Sequence, residues 1–571
     1  MIRGDEQLRE RLLSNDSEGP QSVRREEHEE EGISHYIVSK IYEPGAKQLR
    51  KGLNAFMAFS YGYSSIAVVS SLCLVINFGF ETGGPSIMIW GWLVSSVFTL
   101  FTVVSMAEIC SLYPNAGNVY YWSGILAPSE RSGIILSYIC AWFILLGNIT
   151  ADSSFSFGMT QIVSACVQLY SGGDRSLSTE IEVLLSILVL FSWKMKNKMK
   201  LDQQGWFSNF SAVYQLLSTV GVISIVMILS PTLSNSEFVF KRYNNGTGFN
   251  DQSQSVFLYI CIMGVLMSLF GLSGYESGAA LSEETKNADI EAPKGMVKAV
   301  IASCLTGVIF LLGMLYACSN NLEAALNGLT DQSVVNILHM STQSKTWLTL
   351  VLSLVLILNV FLAGFAHLTV TTRVTYALVR DKALPGSKWM DHLNPKTQNP
   401  DRVLLIVFLL EAAFCLLPLI STTAFSALAQ ITTIAYNVSY GIPIALRLYQ
   451  RATNSPNLRV GRYSFGKYSP LIQSFSLIWL CITSIVLLFP QKIDPIQGIT
   501  IENFNYTSVV LVGTMIFACI YWNCSSIQRR FLGPKEQIDV HLSEISHLYQ
   551  ELPEYVQNVA KSIDQEYNLM K

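Results

Sequence analysis

The chain of 571 residues is 50% hydrophobic and only 14% charged, and its mean hydropathy is +0.36. This composition predicts a membrane protein that crosses the bilayer many times and carries much of its charge in polar tails. The formal net charge is -3, with Lys and Arg scattered over loops, which excludes the clustered basic surface that nucleic acids require.

The N-terminal tail, residues 1–50, is rich in Glu, Arg and Ser, and we expect it to be disordered. No apolar run precedes Leu53, so we expect no cleavable signal peptide and expect the first span to direct insertion.

Twelve apolar stretches follow, each about long enough to cross roughly 30 Å of hydrocarbon as a helix. The predicted fold class is therefore an all-α polytopic membrane protein. The predicted spans are 54–78, 85–110, 131–168, 179–193, 205–230, 255–281, 297–318, 346–376, 402–420, 424–446, 470–489 and 506–523. The cysteines lie within or at the ends of these stretches without CxxC pairs, so neither a disulfide framework nor a metal site is expected.

Basic residues predict the orientation of these spans. The loops after the fourth, eighth and tenth spans are rich in Lys and Arg, which favours a cytoplasmic location for both termini, including the C-terminal tail 526–571. Sequons at Asn245 and Asn505 fall on the predicted outer face, so both asparagines are glycosylation candidates.

Two spans contain residues that interrupt a helix. The sixth includes two glycines and an acid in the segment 270–276, and an ionised carboxylate at bilayer depth costs at least a few kcal/mol. The first span has glycine and small hydroxyl residues over 60–67. Because five spans separate the two breaks, we predict inverted repeats at 51–230 and 255–447, followed by two further spans at 468–525.

Two such breaks together can bind a zwitterion. Free N–H groups at half-helix N-termini can hold a carboxylate, and carbonyl groups at half-helix C-termini can hold an ammonium group. The alternative is that the glycines merely permit close helix packing, as they do in many membrane bundles.

Three groups of motifs stand at characteristic places against the predicted spans. The first is the segment 106–117 followed by Tyr120-Tyr121-Trp122. The others are Gly274-Tyr275-Glu276 with the segments 282–285 and 293–295, and the segment 376–385 after the eighth span. Together these motifs resemble those of the amino acid/polyamine/organocation permeases, above all the branch of GABA permeases, choline permeases and plant bidirectional amino-acid transporters.

The resemblance implies the leucine-transporter-type 5+5 fold, alternating access and a substrate held at the breaks of the first and sixth spans. Carried onto this chain, the substrate-binding residues are Tyr61, Gly62, Tyr63, Ser64, Ser65, Ile66, Ala67, Phe270, Gly271, Ser273, Gly274 and Tyr275. Phe270 is either a lid over the substrate or a packed ring. Gln215 stands where some proton-coupled relatives carry a lysine, so a mechanism in which lysine replaces sodium is not supported.

Charged residues inside the spans are candidates for coupling and gating. Asp152 and Glu276 are candidates for proton coupling or for binding an amine, with structural roles as the alternative. Polar side chains at 367–372 leave sodium coupling open, and Glu411 has no assigned role. The gate candidates, which can equally be static structural or surface residues, are Glu108, Glu283, Glu284, Arg373 and Arg380.

The sequence therefore predicts a secondary transporter of amino acids or GABA-like amines, with H⁺ or Na⁺ as a driving ion and without a cofactor. No converging catalytic groups are present, so we do not expect an enzyme. The alternatives are a choline or polyamine permease and a nutrient sensor that does not transport. The plasma membrane is the first expected location, a vacuolar or lysosomal membrane the second, and the oligomeric state is not predicted.

Overall fold

The computed structural model describes residues 54–534, apart from 200, 283–284, 396, 398, 421–423, 455–458, 494–499, 501–503, 525–530 and 532. The predicted N-terminal tail and nearly all of the predicted C-terminal tail therefore lie outside the described residues.

The described part of the chain is helical and contains no strand; an isolated antiparallel bridge joins Thr82 to Asn245. The helices of the first half are α1 (Ala55–Ile66), α2 (Val68–Glu81), α3 (Gly84–Leu112), α4 (Asn118–Ile125), α5 (Glu130–Tyr170), α6 (Thr179–Asn197), α7 (Leu201–Leu229), α8 (Ser236–Lys241), α9 (Gln254–Gly264), α10 (Leu266–Gly271) and α11 (Ser277–Ala280). Those of the second half are α12 (Ala288–Ala317), α13 (Leu322–Leu326), α14 (Ser333–Ser341), α15 (Thr346–Arg380), α16 (Ser387–Met390), α17 (Asp401–Phe414), α18 (Ala424–Ala452), α19 (Ser469–Leu487) and α20 (Tyr506–Cys524), with short 3₁₀ turns at Leu417–Leu419 and Gly466–Tyr468.

Ten helical segments in the described residues are long and apolar enough to cross a membrane, and they match ten of the twelve predicted spans. The other two predicted spans also form helices, α6 and α18. Helix α6 has acids in its first turn and lysines in its last, and α18 buries a row of amide and hydroxyl side chains, which lowers its hydropathy. The predicted all-α polytopic class is confirmed.

Helix α5 makes contacts with several other helices. With 41 residues it is the longest described helix, and it packs against α6, α15, α17 and α18. A capping box at its N-terminus, in which Ser129 and Ser132 bond reciprocally, fixes where it begins. Because these helices cover it, the polar patch around Asp152 is buried and does not face lipid.

The hairpin between α2 and α3 depends on two glycines. Gly83 and Gly84 have φ angles of 95° and 71°, and residues other than glycine rarely adopt such positive values. A Cβ on Gly84 would lie 2.9 Å from the Asn244 nitrogen, so this turn is also held against the segment that precedes α9. Pro85 then stands in the first turn of α3, where its missing N–H is not needed.

We expect Gly307→Ala to lower the thermal stability of the purified protein. A Cβ at this position would lie 2.0 Å from Cζ2 of Trp92, a fully buried ring whose Nε1 donates to the Cys304 carbonyl at 3.1 Å. Overpacking of this kind costs about 1–3 kcal/mol. The matched control is Gly221→Ala on α7, where no atom lies within 4 Å and the melting temperature should not fall. Equal melting temperatures for the two variants would contradict the packing of α3 on α12.

Candidate functional site

The first span is broken at a single residue. Helix α1 ends at Ile66, α2 begins at Val68, and Ala67 between them has φ 47° and ψ 49°, a left-handed conformation that costs an L-residue about 1–2 kcal/mol. No side chain caps the N-terminus of α2, so the amide groups of its first turn point into the break without a side-chain acceptor. These amides give the break a partial positive charge.

Of the segment 60–67 that was predicted to interrupt the first span, Ala67 leaves the helix, but the prediction is wrong for residues 60–66, which remain helical. A Cβ on Gly62 would lie 3.0 Å from the Cβ of Ala299. Gly62 thus allows α1 and α12 to approach closely. This agrees with the alternative that the glycine permits close helix packing.

The sixth span opens over five residues. Helix α10 ends at Gly271, α11 begins at Ser277, and Gly274 between them has φ 82°. The amides of Gly274 and Tyr275 donate no hydrogen bond to another backbone group in the described part of the chain. The predicted break in this span is therefore present, and its N–H groups are available to a ligand.

The two breaks face each other. A Cβ built on Gly274 would lie 3.5 Å from the Ser65 carbonyl oxygen and 3.6 Å from Nε2 of His367. Only a glycine leaves this space open while adopting the positive φ. The structure thus brings the first, sixth and eighth spans together at one point.

Several polar atoms on the first and sixth spans have no partner. The hydroxyl oxygens of Ser60, Ser65, Ser268 and Ser277 and Oε1 of Glu276 are all buried and have no hydrogen-bond partner among the described residues. Buried polar groups are normally satisfied, and leaving one unpaired costs about 1–3 kcal/mol. Such a set has the chemistry to bind a small zwitterion: hydroxyl and amide groups for a carboxylate, and a carboxylate oxygen for an ammonium group.

Glu276 is held by the tenth span. Its Oε2 accepts a hydrogen bond from the hydroxyl of Tyr440, and the Tyr440 ring lies 4.7 Å from that of Tyr275 and 5.5 Å from that of Tyr436. Its side chain does not cap α11, the structural alternative considered for it. One carboxylate oxygen, Oε2, is therefore bonded to Tyr440, and the other, Oε1, has no partner among the described residues.

Asp152 and His367, predicted separately, are bonded to each other. Asp152 Oδ1 lies 2.8 Å from His367 Nδ1, and Oδ2 accepts from the Thr371 hydroxyl at 2.6 Å. His367 Nε2 lies 3.0 Å from the hydroxyl of Tyr436, which bonds Asn148 at 3.0 Å. Both carboxylate oxygens of Asp152 thus have protein partners. One of these partners, His367, is the residue that faces the Gly274 break.

Phe270 is buried between aromatic neighbours. Its ring centroid lies 6.2 Å from that of Phe155, which is in turn 5.9 Å from the ring of His367. The side chain is 2% exposed, as either a closed lid or a packed ring would be. Its role as a lid stays a prediction.

A small cavity lies between the sixth-span break and helices α3, α18 and α19. Tyr275, Tyr436 and Tyr440 contribute to its wall, so it adjoins the aromatic rings around Glu276. The lining residues are Thr99, Thr102, Leu269, Leu272, Ser273, Tyr275, Thr433, Tyr436, Asn437, Tyr440, Trp479 and Leu480.

Glu108 anchors the segment between α18 and α19. Its Oε1 accepts from the Ser464 and Ser469 hydroxyls and from the Phe465 amide at 2.9, 2.5 and 2.8 Å. Its Oε2 accepts from Gln473 at 3.0 Å and lies 3.4 Å from Arg451. A carboxylate with this many donors is a structural anchor in this state, and its role as a gate stays a prediction.

We expect Glu108→Gln to loosen this segment. A glutamine replaces one acceptor oxygen by a donor NH₂ group and removes the charge, and hydrogen bonds to charged groups contribute about 1.5–3 kcal/mol each. Limited proteolysis of the segment 459–468 should become faster, and the melting temperature should fall. The control is Glu237→Gln, which breaks only the exposed pair with Lys241 at 3.2 Å. Equal protease resistance in both variants would refute the anchoring role.

The other gate candidates are only partly described. Arg373 donates to Asn399 Oδ1 at 3.2 Å, and Arg380 lies 3.8 Å from Asp381. Glu283 and Glu284, their expected partners, lie outside the described residues, so the inner gate stays a prediction.

The two sequon asparagines lie in loops. The side-chain amide of Asn245 donates to the Phe249 carbonyl at 2.8 Å, and that of Asn505 donates to the Phe489 carbonyl at 2.8 Å. Glycosylation of either asparagine stays a prediction.

Sequence reasoning missed Tyr436 and Tyr440 and gave Glu411 no role. The tyrosines are four residues apart on α18, so they lie on the same face of that helix. Polar residues within this predicted span, such as Asn437, were an available signal in the sequence, and the structure shows that Asn437 is buried. Glu411 lies on α17 beside Asp152, and its mid-span position was the signal.

Comparisons with known proteins agree with this architecture. Residues 53–517 match the model of the family described as amino acid permease. The chain is 29% identical over 511 residues to the amino-acid permease BAT1 of Arabidopsis thaliana, covering 87% of this chain and 96% of that protein. It is 27% identical to the BAT1 homolog of Oryza sativa subsp. japonica (88% and 96%) and 23% identical to amino-acid permease 2 of Neurospora crassa (83% and 84%). The chain therefore belongs to the amino acid permease family of multi-pass membrane proteins, as the motif resemblance predicted.

Proposed function

We propose that this protein is a secondary transporter that moves an amino acid across the membrane by alternating access, with the substrate bound between the two breaks. The observation that carries the proposal is the set of unpaired buried groups on residues at or next to the two breaks, in particular Ser65 Oγ, Ser277 Oγ and Glu276 Oε1. A protein without a ligand at this point would leave these groups unsatisfied.

The substrate fits in one direction. Its carboxylate meets the amides of Val68 and Val69 at the start of α2, where the helix dipole is positive, and the unpaired Ser65 hydroxyl. Its amine, or the distal amine of a GABA-like molecule, meets the free oxygen of Glu276. The opposed charges at the two ends select a zwitterion over a simple cation or anion.

The proposed repeats remain 51–230 and 255–447, each opening with its broken span, followed by two spans at 468–525. The equivalent positions of the Ala67 and Gly274 breaks support this division. Basic loops after the even-numbered spans support cytoplasmic termini, and the plasma membrane is the proposed location.

A cationic amine such as choline or a polyamine is the second candidate. It is favoured by the three tyrosine rings, Tyr275, Tyr436 and Tyr440, that surround the Glu276 carboxylate, since aromatic faces and a carboxylate together attract ammonium groups. Against it, the serine hydroxyls and the amides of α2 would be left without an anion.

Uptake by a transport-deficient host that expresses the full chain distinguishes the two candidates. Labelled GABA, arginine, glutamate and choline are supplied separately, and each is then tested as an unlabelled competitor. Saturable uptake of at least one amino acid, with no competition by choline, is the expected result. Uptake that only choline inhibits would overturn the amino-acid proposal, and binding without exchange in liposomes would indicate a sensor.

A further inference from the structure

A group of ionisable side chains lies behind the substrate bed, where four helices meet. Asp152 comes from α5, His367 from α15, Glu411 from α17 and Tyr436 from α18. All four side chains are at most 2% exposed. Ionisable groups at this depth are rare in membrane proteins and mark proton or substrate pathways.

The hydrogen bonds fix how many protons this group holds. The Asn148 amide nitrogen donates to the Ile144 carbonyl at 2.9 Å, so its Oδ1 is the atom that faces Tyr436. Tyr436 has one hydroxyl hydrogen, and it is used in donating to Asn148. The hydroxyl oxygen can then only accept from His367, so Nε2 of the imidazole carries a hydrogen.

The other imidazole nitrogen adds a second condition. His367 Nδ1 and Asp152 Oδ1 are 2.8 Å apart, and a hydrogen must lie between them, on the ring or on the acid. In either arrangement the Asp152–His367 pair holds one proton more than a neutral imidazole beside a carboxylate. The observed bonding pattern therefore belongs to a proton-loaded pair.

Glu411 extends the group. Its carboxyl neighbours Asp152, and neither of its oxygens receives a hydrogen bond from a donor in the described chain. A carboxylate in this position would be a buried, uncompensated charge next to a second one, which costs several kcal/mol. A protonated carboxyl has no such penalty and can donate to Asp152, since two adjacent acids share a proton readily.

We propose that Asp152, His367 and Glu411 form the proton-binding centre that couples this transporter to a proton gradient. The proposal rests on the proposed transport function and names its driving ion. The other titratable groups that face the centre are Tyr436 and Tyr440 from α18, Glu276 from the sixth-span break and Cys415, the residue after α17. No bond other than those to hydrogen is made or broken.

The centre touches the substrate bed at His367. Nε2 lies 3.6 Å from the position that a Cβ on Gly274 would occupy, so the ring faces the unwound segment of the sixth span. When the pair loses its proton, Nε2 becomes an acceptor and the Tyr436 hydroxyl turns from Asn148 to the ring. Because Tyr436 stacks on Tyr440, which holds Glu276, this change reaches the residue proposed to bind the amine.

The first test measures proton movement with the full chain in liposomes that enclose a pH-sensitive dye. Amino-acid uptake by the wild type should acidify the lumen. Glu411→Gln should reduce this acidification roughly tenfold or more, equivalent to 1.4 kcal/mol, while exchange of labelled for unlabelled amino acid continues. Wild-type acidification in Glu411→Gln would overturn the proposal. Exchange in the wild type without any acidification would also overturn it and leave the transport function standing.

The second test does not need transport. Infrared spectra of the purified protein at neutral pH should contain the C=O band of a protonated carboxyl, and Glu411→Gln should weaken this band by the contribution of one carboxyl. Glu108→Gln is the matched control, because Glu108 is equally enclosed but accepts several hydrogen bonds, and the band should persist. An undiminished band in Glu411→Gln would overturn the proton centre, whereas its weakening supports the centre even if no amino acid is exchanged.

Discussion

Replacement of Gly274 by alanine is expected to abolish amino-acid uptake while the protein still reaches the membrane. Gly274 has φ 82°, where an alanine costs about 1–2 kcal/mol. The added methyl group would also lie 3.5 Å from the Ser65 carbonyl and 3.6 Å from His367 Nε2, within the space proposed for the substrate. Initial uptake rates normalised to the amount of protein in the membrane measure the effect, and a loss of roughly tenfold or more is expected.

Gly221→Ala is the matched control for this variant. Gly221 lies within α7, and a Cβ there meets no atom within 4 Å. The same chemical change outside the breaks should therefore leave uptake unaffected. If Gly274→Ala transports at the rate of Gly221→Ala, the substrate does not pass between the two breaks at this point.

The second large effect is expected at Glu276. Glu276→Gln keeps an oxygen that can accept from the Tyr440 hydroxyl, but it loses the negative charge proposed to bind the substrate amine. Uptake should be abolished, and the melting temperature should change little because the shape and one hydrogen bond are preserved. Uptake measured over a pH range, together with thermal unfolding of the same preparation, tests both statements.

Tyr440→Phe provides the comparison. It removes a hydrogen-bond donor to Glu276 but keeps the ring and the carboxyl group, which becomes less firmly oriented. A partial loss of uptake is expected, smaller than that of Glu276→Gln. An unaltered rate and pH dependence in Glu276→Gln would remove this acid from the mechanism and leave it a structural role alone.

The sequence was sufficient to place the spans and the sixth-span break. Length and apolarity locate a membrane helix because the hydrocarbon core has a fixed thickness, and a helix follows at every predicted span. The segment around Gly274 was conspicuous because glycines and an acid coincide there, and lipid tolerates that combination only beside a cavity.

The first-span break was misplaced because its signal was ambiguous. Gly62 is consistent with either unwinding or close packing, and only the position of Ala299 on another helix distinguishes them. Ala67, which actually leaves the helix, is an ordinary residue in the sequence. Nothing local marks it, because its left-handed conformation is imposed by the packing of α1 and α2 around it.

The sequence also did not predict that Asp152, His367 and Glu411 lie together. Asp152, His367 and Glu411 are more than forty residues apart in the chain, and a helix sequence does not reveal which neighbour each side chain faces. Asp152 and Glu411 were visible separately as intramembrane acids. Their pairing depends on the rotation of α5, α15 and α17 about their axes, which tertiary packing determines.

Protection of a cysteine at the break tests the central claim, that an amino acid binds between the two broken helices. In a background without the native cysteines, Ser65→Cys and Ser277→Cys are treated with a water-soluble thiol reagent, with and without a transported amino acid. Ser344→Cys, in an exposed loop, is the control. The account predicts that the amino acid slows modification at 65 and 277 and leaves it unchanged at 344. Equal modification rates at 65 and 277 with and without saturating amino acid would contradict it.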